Sequence, residues 1–252
     1  MSEPVCIPDA TPPVDLLREA ALFLDFDGTL VEIAERPDAI AVDARLGILM
    51  NRLLSLLEGR VAILSGRPAS EIRALFGAQL LTVVGSHGME FHWADGGIDR
   101  IERPAGLADA LCAMRALAAV DSRLLVEDKP LGAALHFRGA PETESRCHKL
   151  ASELAERHRL YLQRGKMMIE VRASGGDKGS AIRTLMAEPP FQSARPVFMG
   201  DDLTDEPGFA MAAQLGGAGI LVGPARASAA CYRLAGVAET LDWLGNACER
   251  AA

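Results

Sequence analysis

Leu22-Phe23-Leu24 runs directly into Asp25-Phe26-Asp27-Gly28-Thr29. A short apolar run cut off by carboxylates, a glycine and a threonine reads as a buried strand whose carboxyl end opens into a polar loop. Alternate residues of a strand face the same side, so Asp25 and Asp27 would project from one edge about 6–7 Å apart. That spacing leaves room for a divalent cation or a phosphoryl group between them. Read alone, the stretch is also an ordinary strand followed by an Asp-Gly turn. Further stretches of the same build weigh against that alternative.

Short apolar runs alternate with helical patterns along both flanks, which predicts an α/β fold with a mostly parallel sheet. Strands are expected at residues 21–24, 60–64, 80–84, 196–199 and 219–222. Asp43 can cap a helix whose leucines at 46, 49, 53, 54 and 57 keep helical spacing, and Gly59 closes it. Pro68 carries the φ favoured at a first helical position, so a helix is expected from there to Gly77.

Residues 88–172 have a different character. A hairpin is expected over 89–93 and 98–102, then a helix near 107–120 and strands at 124–127 and 132–138. A helix near 142–158 and an extended run over 160–173 complete the segment. This α+β order predicts a second domain inserted into a core of residues 1–87 and 173–252.

The chain has 252 residues, 49% of them apolar, enough for a sizeable core and against wholesale disorder. Its 26 basic and 34 acidic residues give a formal charge of −8, without a basic run, so nucleic acid is not an expected partner. Cys6, Cys112, Cys147, Cys231 and Cys248 are odd in number and scattered, which suits reduced thiols. No secretory signal and no apolar run of about 20 residues is present. The expectation is a cytoplasmic monomer, away from membranes.

Four loops follow expected strands, and in an open α/β sheet ligands bind outside the carboxyl ends of the strands. Besides Asp25 and Asp27, Ser65-Gly66-Arg67 offers a hydroxyl, close backbone approach and a helix start, which a phosphate needs, although an ordinary helix cap looks the same. Lys178, in Gly176-Asp177-Lys178-Gly179, sits in a first helical turn. There the macrodipole opposes it unless an anion, a phosphate or the Asp25 carboxylate, lies alongside; the alternative is a solvated lysine. Gly200-Asp201-Asp202-Leu203-Thr204-Asp205-Glu206 carries more carboxylates than a cap requires, and hard oxygen ligands suit a magnesium ion that also meets substrate phosphate. A solvated acidic face is the competing reading. The Walker, dinucleotide, nucleophile-elbow and zincin signatures are absent.

Asp25-Phe26-Asp27-Gly28-Thr29, Ser65-Gly66-Arg67, Lys178 and Gly200-Asp201-Asp202, in that order, resemble the haloacid dehalogenase-like (HAD) superfamily of phosphohydrolases. Within it, Leu64-Ser65-Gly66-Arg67, Gly85-Ser86-His87-Gly88, Gly165-Lys166-Met167-Met168-Ile169-Glu170 and Gly200-Asp201-Asp202-Leu203-Thr204-Asp205-Glu206 resemble the trehalose-6-phosphate phosphatase family. Asp177 stands where asparagine is expected, and it can cap a helix equally well.

The resemblance implies a Rossmann-like parallel-sheet core with an inserted α+β cap domain for substrate recognition. It implies Asp25 as nucleophile, giving an aspartyl-phosphate, and Asp27 as the acid that protonates the leaving sugar oxygen and then activates water. Magnesium would be held by Asp25, the Asp27 main-chain carbonyl and Asp201, with Asp202, Asp205 and Thr29 supporting. Ser65 and Lys178 would bind phosphoryl oxygens, joined by Gly66 and Arg67. His87, Lys129, Arg138, Lys166 and Glu170 would meet the sugar; Lys166 and Glu170 are expected on one face of a single strand, and His136 is a weaker candidate. Salt bridges on an exposed sheet are the competing reading of Lys129, His136 and Arg138, and His87 and Glu90 are equally hinge candidates. Asp27 would begin protonated, with closure of the cap excluding water. The expected reaction is magnesium-dependent hydrolysis of trehalose 6-phosphate, a small phosphosugar. Another sugar phosphatase, a phosphomutase or a catalytically silent sugar-phosphate sensor on the same scaffold are the alternatives.

Overall fold

The computed structural model describes residues 7–33, 42–77, 81–165 and 167–250. These form two compact units. One runs up to Asp99 and resumes at Asp177; the other is Arg100–Gly176.

In the first unit, β1 (Ala20–Leu24), β2 (Val61–Leu64), β3 (Thr82–Gly85), β10 (Arg195–Gly200), β11 (Ala218–Val222) and β12 (Tyr232–Leu234) lie parallel in the order β12-β11-β10-β1-β2-β3. β4 (Glu90–His92) extends this sheet antiparallel to β3, and β5 (Ile98–Arg100) follows at its edge. The hairpin expected inside the insert therefore belongs to the core sheet, and the second unit starts at Arg100 rather than near residue 88.

Every residue of β1 is buried, because helices cover both faces. Leu22 and Leu24 pack with Leu46, Met50 and Leu53 of α1 (Ala44–Leu56), Ile72 of α2 (Ala69–Phe76) and Leu244 of α7 (Val237–Arg250). Ala21 and Phe23 turn to the opposite layer, with Ile182 and Leu185 of α5 (Lys178–Met186) and Phe209 of α6 (Glu206–Gln214). Fully burying each such Leu or Phe stabilises the fold by about 1.5–3 kcal/mol. Asp43 caps α1, accepting the Leu46 N–H at 2.8 Å, and Gly59 closes the following turn at φ +83. Pro68 is the residue before α2 rather than its first; its ψ of 137 is extended. The expected start of β3 at residue 80 lies outside the described residues.

The second unit is a four-stranded antiparallel sheet in the order β6-β7-β9-β8, from β6 (Leu125–Lys129), β7 (Gly132–His136), β8 (Tyr161–Gly165) and β9 (Met168–Arg172). Leu107, Leu111 and Met114 of α3 (Gly106–Val120) and Cys147, Ala151 and Leu154 of α4 (Glu144–His158) pack on Ala133, Leu135, Ile169 and Val171 of one sheet face. The run expected over 160–173 is two strands. Gly165 pairs with Met168, so the chain reverses between them. No helix among the described residues is long and apolar enough to cross a membrane.

Candidate active site

Asp25 is the first residue beyond β1, and its N–H donates to Met199 O at 2.9 Å, which ties it to the end of β10. Lys178 is the first residue of α5. Asp177 caps that helix, its Oδ1 accepting the Ser180 N–H at 2.6 Å. The macrodipole opposes a cation in that position, and two carboxylates offset it. Lys178 Nζ lies 2.6 Å from Asp25 Oδ1 and also bonds Asp205 Oδ1. Lys178 and Asp25 are at most 5% exposed and Asp205 is fully buried.

Asp201 completes this group: one oxygen each of Asp25, Asp201 and Asp205 lies within 4.8 Å of the others. Gly28 makes the approach possible. It sits at φ +84, and a Cβ there would lie 2.2 Å from Asp201 Oδ2. Three carboxylates thus crowd beside one ammonium, which bonds two of them. Burial, then Asp205 and Asp201, push the Asp25 carboxyl well above the ordinary range against the pull of Lys178. Burial and then Asp205 raise Asp201 to about 6. Burial alone would lower Lys178, but Asp205 and Asp25 outweigh it and hold the amine above its usual value. An oxygen-only donor set with surplus negative charge fits a hard divalent cation, which would relieve the repulsion.

The Asp27 carboxylate is outside this cluster. Arg67 takes both its oxygens, Nε to Oδ2 at 2.8 Å and Nη2 to Oδ1 at 3.0 Å. The expectation of a cation between the two aspartate side chains is therefore corrected. The strand ends at Leu24, so strand alternation does not carry Asp25 and Asp27 to one edge. Asp205, expected only in support, bonds Lys178 directly. Asp202 is exposed and caps a short 3-10 turn, its Oδ1 accepting the Leu203 N–H at 2.7 Å. Thr29 is fully buried, and its hydroxyl has no hydrogen-bond partner among the described residues.

Ser65 follows β2, and its hydroxyl accepts the Arg67 N–H at 3.1 Å, which shapes the loop that presents the guanidinium. Gly66 leaves space for His87, since a Cβ there would meet the imidazole at 2.5 Å. Ser86 and His87 both adopt left-handed φ, 50 and 57, an uncommon pair for residues with side chains. Glu90 braces this turn from within the core. Its carboxylate accepts the Ala69 N–H at 3.1 Å and the Ser86 hydroxyl at 3.3 Å, and lies 3.0 Å from His92 Nε2. Glu90 thus joins the β2–α2 and β3–β4 loops, a role its position in the sequence did not reveal.

In the second unit, the sheet face opposite α3 and α4 is polar. Register places Glu127, Ala134, Glu170 and Gln163 in one cross-strand row and Lys129, Gly132, Arg172 and Tyr161 in the next. Lys129 Nζ bonds Glu170 Oε2 at 2.7 Å, and Gly132 leaves room for that carboxylate. His136 and Glu127 lie 2.9 Å apart. Glu127 was missed in the sequence, although the alternation 125/127/129 marks its face. Arg138 is exposed beyond the end of β7. Lys166 lies outside the described residues. The expectation that it shares a strand face with Glu170, which lies in β9, therefore falls outside the described residues as well.

A family model described as trehalose-phosphatase matches residues 23–238. The chain is 35% identical over 246 residues to the trehalose-6-phosphate phosphatase of Escherichia coli (strain K12), covering 97% of this chain and 90% of that protein. It is 34% identical over 206 residues to a probable trehalose-phosphate phosphatase of Sinorhizobium fredii, covering 81% and 78%. Among solved structures, a trehalose-6-phosphate phosphatase related protein aligns with TM-score 0.74 at 28% identity, over 91% of this chain and 97% of the other. The C-terminal domain of the C. albicans trehalose-6-phosphate phosphatase shares the fold, with TM-score 0.81 at 20% identity over 98% and 99%.

Proposed function

The chain belongs to the trehalose-phosphatase family, and from that premise we propose that it hydrolyses trehalose 6-phosphate to trehalose and phosphate with Asp25 as nucleophile. It is a phosphatase. The observation that carries the mechanistic reading is the contact of Lys178 with Asp25 at the carboxyl end of β1, beside Asp201 and Asp205.

An Asp25 oxygen attacks phosphorus, the bond to the sugar oxygen breaks, and Asp27 delivers a proton to that oxygen. Water then attacks the aspartyl-phosphate, Asp27 takes its proton, and Asp25 is released. A carboxylate approaching a phosphate monoester meets like-charge repulsion, so positioning and neutralisation carry most of the rate. Lys178 supplies one fixed positive charge against Asp25. Asp25, Asp201 and Asp205 would hold Mg2+, with the Asp27 carbonyl as a further oxygen; when bound, the ion supplies the remaining neutralisation. Ser65 and Arg67 serve the phosphoryl oxygens. Arg67 holds both Asp27 oxygens, so proton transfer requires one arm of the fork to open.

The polar face of the second unit is the proposed reader of sugar hydroxyls, through Lys129 and Glu170. A sugar ring needs donors and acceptors in fixed positions, and the Lys129–Glu170 pair offers both. Assay against a panel of phosphosugars tests the substrate: trehalose 6-phosphate should have the highest kcat/KM, and a better sucrose or mannosyl phosphate would displace it. Asp25→Asn should abolish turnover and keep substrate binding.

A further inference from the structure

Of the four carboxylates Asp201, Asp202, Asp205 and Glu206 that follow β10, two do not enter the Asp25 cluster, and one of them, at the start of α6, anchors a clamp. Glu206 Oε2 accepts the Ala229 N–H at 2.8 Å and the Ser228 hydroxyl at 3.2 Å, while its Oε1 is bonded by Arg226 Nη1. Arg226 reaches on from there: its Nη2 donates to the main-chain carbonyl of Asp202 at 2.8 Å. On the other side, the Asp202 N–H donates to Asp205 Oδ2 at 2.9 Å. The backbone of Asp202 is thus gripped through both its N–H and its C=O, immediately beyond the residue whose carboxylate joins Asp25 and Asp205.

We propose that Arg226 is a positioning residue for the divalent cation, acting through the Asp202 carbonyl to hold the Asp201 carboxylate against Asp25 and Asp205. Three carboxylates that repel one another separate unless the chain that carries them is restrained. Lys178 restrains Asp25 and Asp205 directly. Asp201 instead shares a side-chain hydrogen bond with the like-charged Asp25, so its place depends also on the backbone to which it is attached. Arg226 lies in the loop after β11 and belongs to none of the strand-end signatures. Its side chain is 24% exposed and that of Glu206 27%, so truncation opens the clamp to water without emptying the core. Groups that orient metal ligands in this way are worth about 10–100-fold in metal affinity.

The inference rests on reading Asp25, Asp201 and Asp205 as a cation site, and its test is Mn2+ binding to the full chain, followed by loss of the free-ion electron paramagnetic resonance signal. Arg226→Met should weaken Mn2+ about tenfold, and Arg226→Lys should recover part of the loss. Phosphosugar KM at saturating Mn2+ should stay within about twofold of wild type. Glu206→Gln is the second variant, carrying the test if Arg226→Met does not fold. It keeps the bonds to Ala229 and Ser228, loses the ion pair, and should weaken Mn2+ several-fold. Unchanged Mn2+ affinity in the folded variants, or a raised KM in its place, overturns the role of Arg226 alone. Wild-type protein that binds no Mn2+ overturns the cation site, and the inference with it.

Discussion

Arg67 grips both carboxylate oxygens of Asp27, Nε on Oδ2 at 2.8 Å and Nη2 on Oδ1 at 3.0 Å. The two-pronged geometry sets the direction of the carboxylate as well as its partner, which a lysine cannot do. It also connects the loop after β2 to the residue proposed to move protons.

If Arg67 orients Asp27 for proton delivery, its loss should depend on the leaving group. A sugar alkoxide needs a proton to depart, and nitrophenolate does not. Arg67→Lys should therefore slow single-turnover release of trehalose about 100-fold and slow release of nitrophenolate from p-nitrophenyl phosphate by less than about threefold. Parallel losses on both substrates would assign Arg67 to phosphate binding alone.

Lys178 is the one described cation in direct bonds with Asp25 and Asp205. Lys178→Met strands two buried carboxylates, and breaking a buried pair in this way costs on the order of 3–5 kcal/mol. Urea unfolding without metal should show that loss, with part of it restored in Lys178→Met/Asp205→Asn. A variant as stable as wild type would contradict the buried ion triad.

Stability should also respond to pH and metal together. Asp201 has its proton affinity raised to about 6 from 3.8, so between those values the folded state holds more protons than the unfolded one. This contribution is present in full below the lower value and lost as pH rises through about 6. Melting temperatures in a chelator should carry a downward component across that window, and Mg2+ should stabilise more above it than below. An increment from Mg2+ that is the same at about pH 4 and pH 8 would exclude Asp201 from the cation site.

Glu170 accepts from Lys129 at 2.7 Å on the polar face of the second unit. If this pair reads sugar hydroxyls, Glu170→Gln should raise KM for trehalose 6-phosphate about tenfold and leave p-nitrophenyl phosphate kinetics unchanged. Equal effects on both substrates would make the pair structural.

The core strands and their loops were legible because their signals are local. An apolar run, a glycine and a capping aspartate act within one turn or one strand, and Asp43 and Asp177 cap the helices expected of them. The hairpin after β3 was placed in the wrong unit because its residues look alike wherever they pair. Only the register of Val83 with His92 and Val84 with Phe91 assigns it to the core sheet. The turn between Gly165 and Met168 was hidden inside an apolar-rich run.

The sequence by itself determined that acidic and cationic groups stand at strand ends and helix starts, since periodicity and capping depend on neighbours a few residues away. It offered the Asp25 carboxylate as one of two anions for Lys178, and left that choice and the other pairings open. Lys178 bonds Asp25 across 153 residues, Arg67 bonds Asp27 across 40, and Arg226 reaches Asp202 across 24. Those pairings follow from the order β11-β10-β1-β2 in the sheet and the burial it imposes. In that setting, desolvated charges are stable only beside the partners that the fold brings within reach.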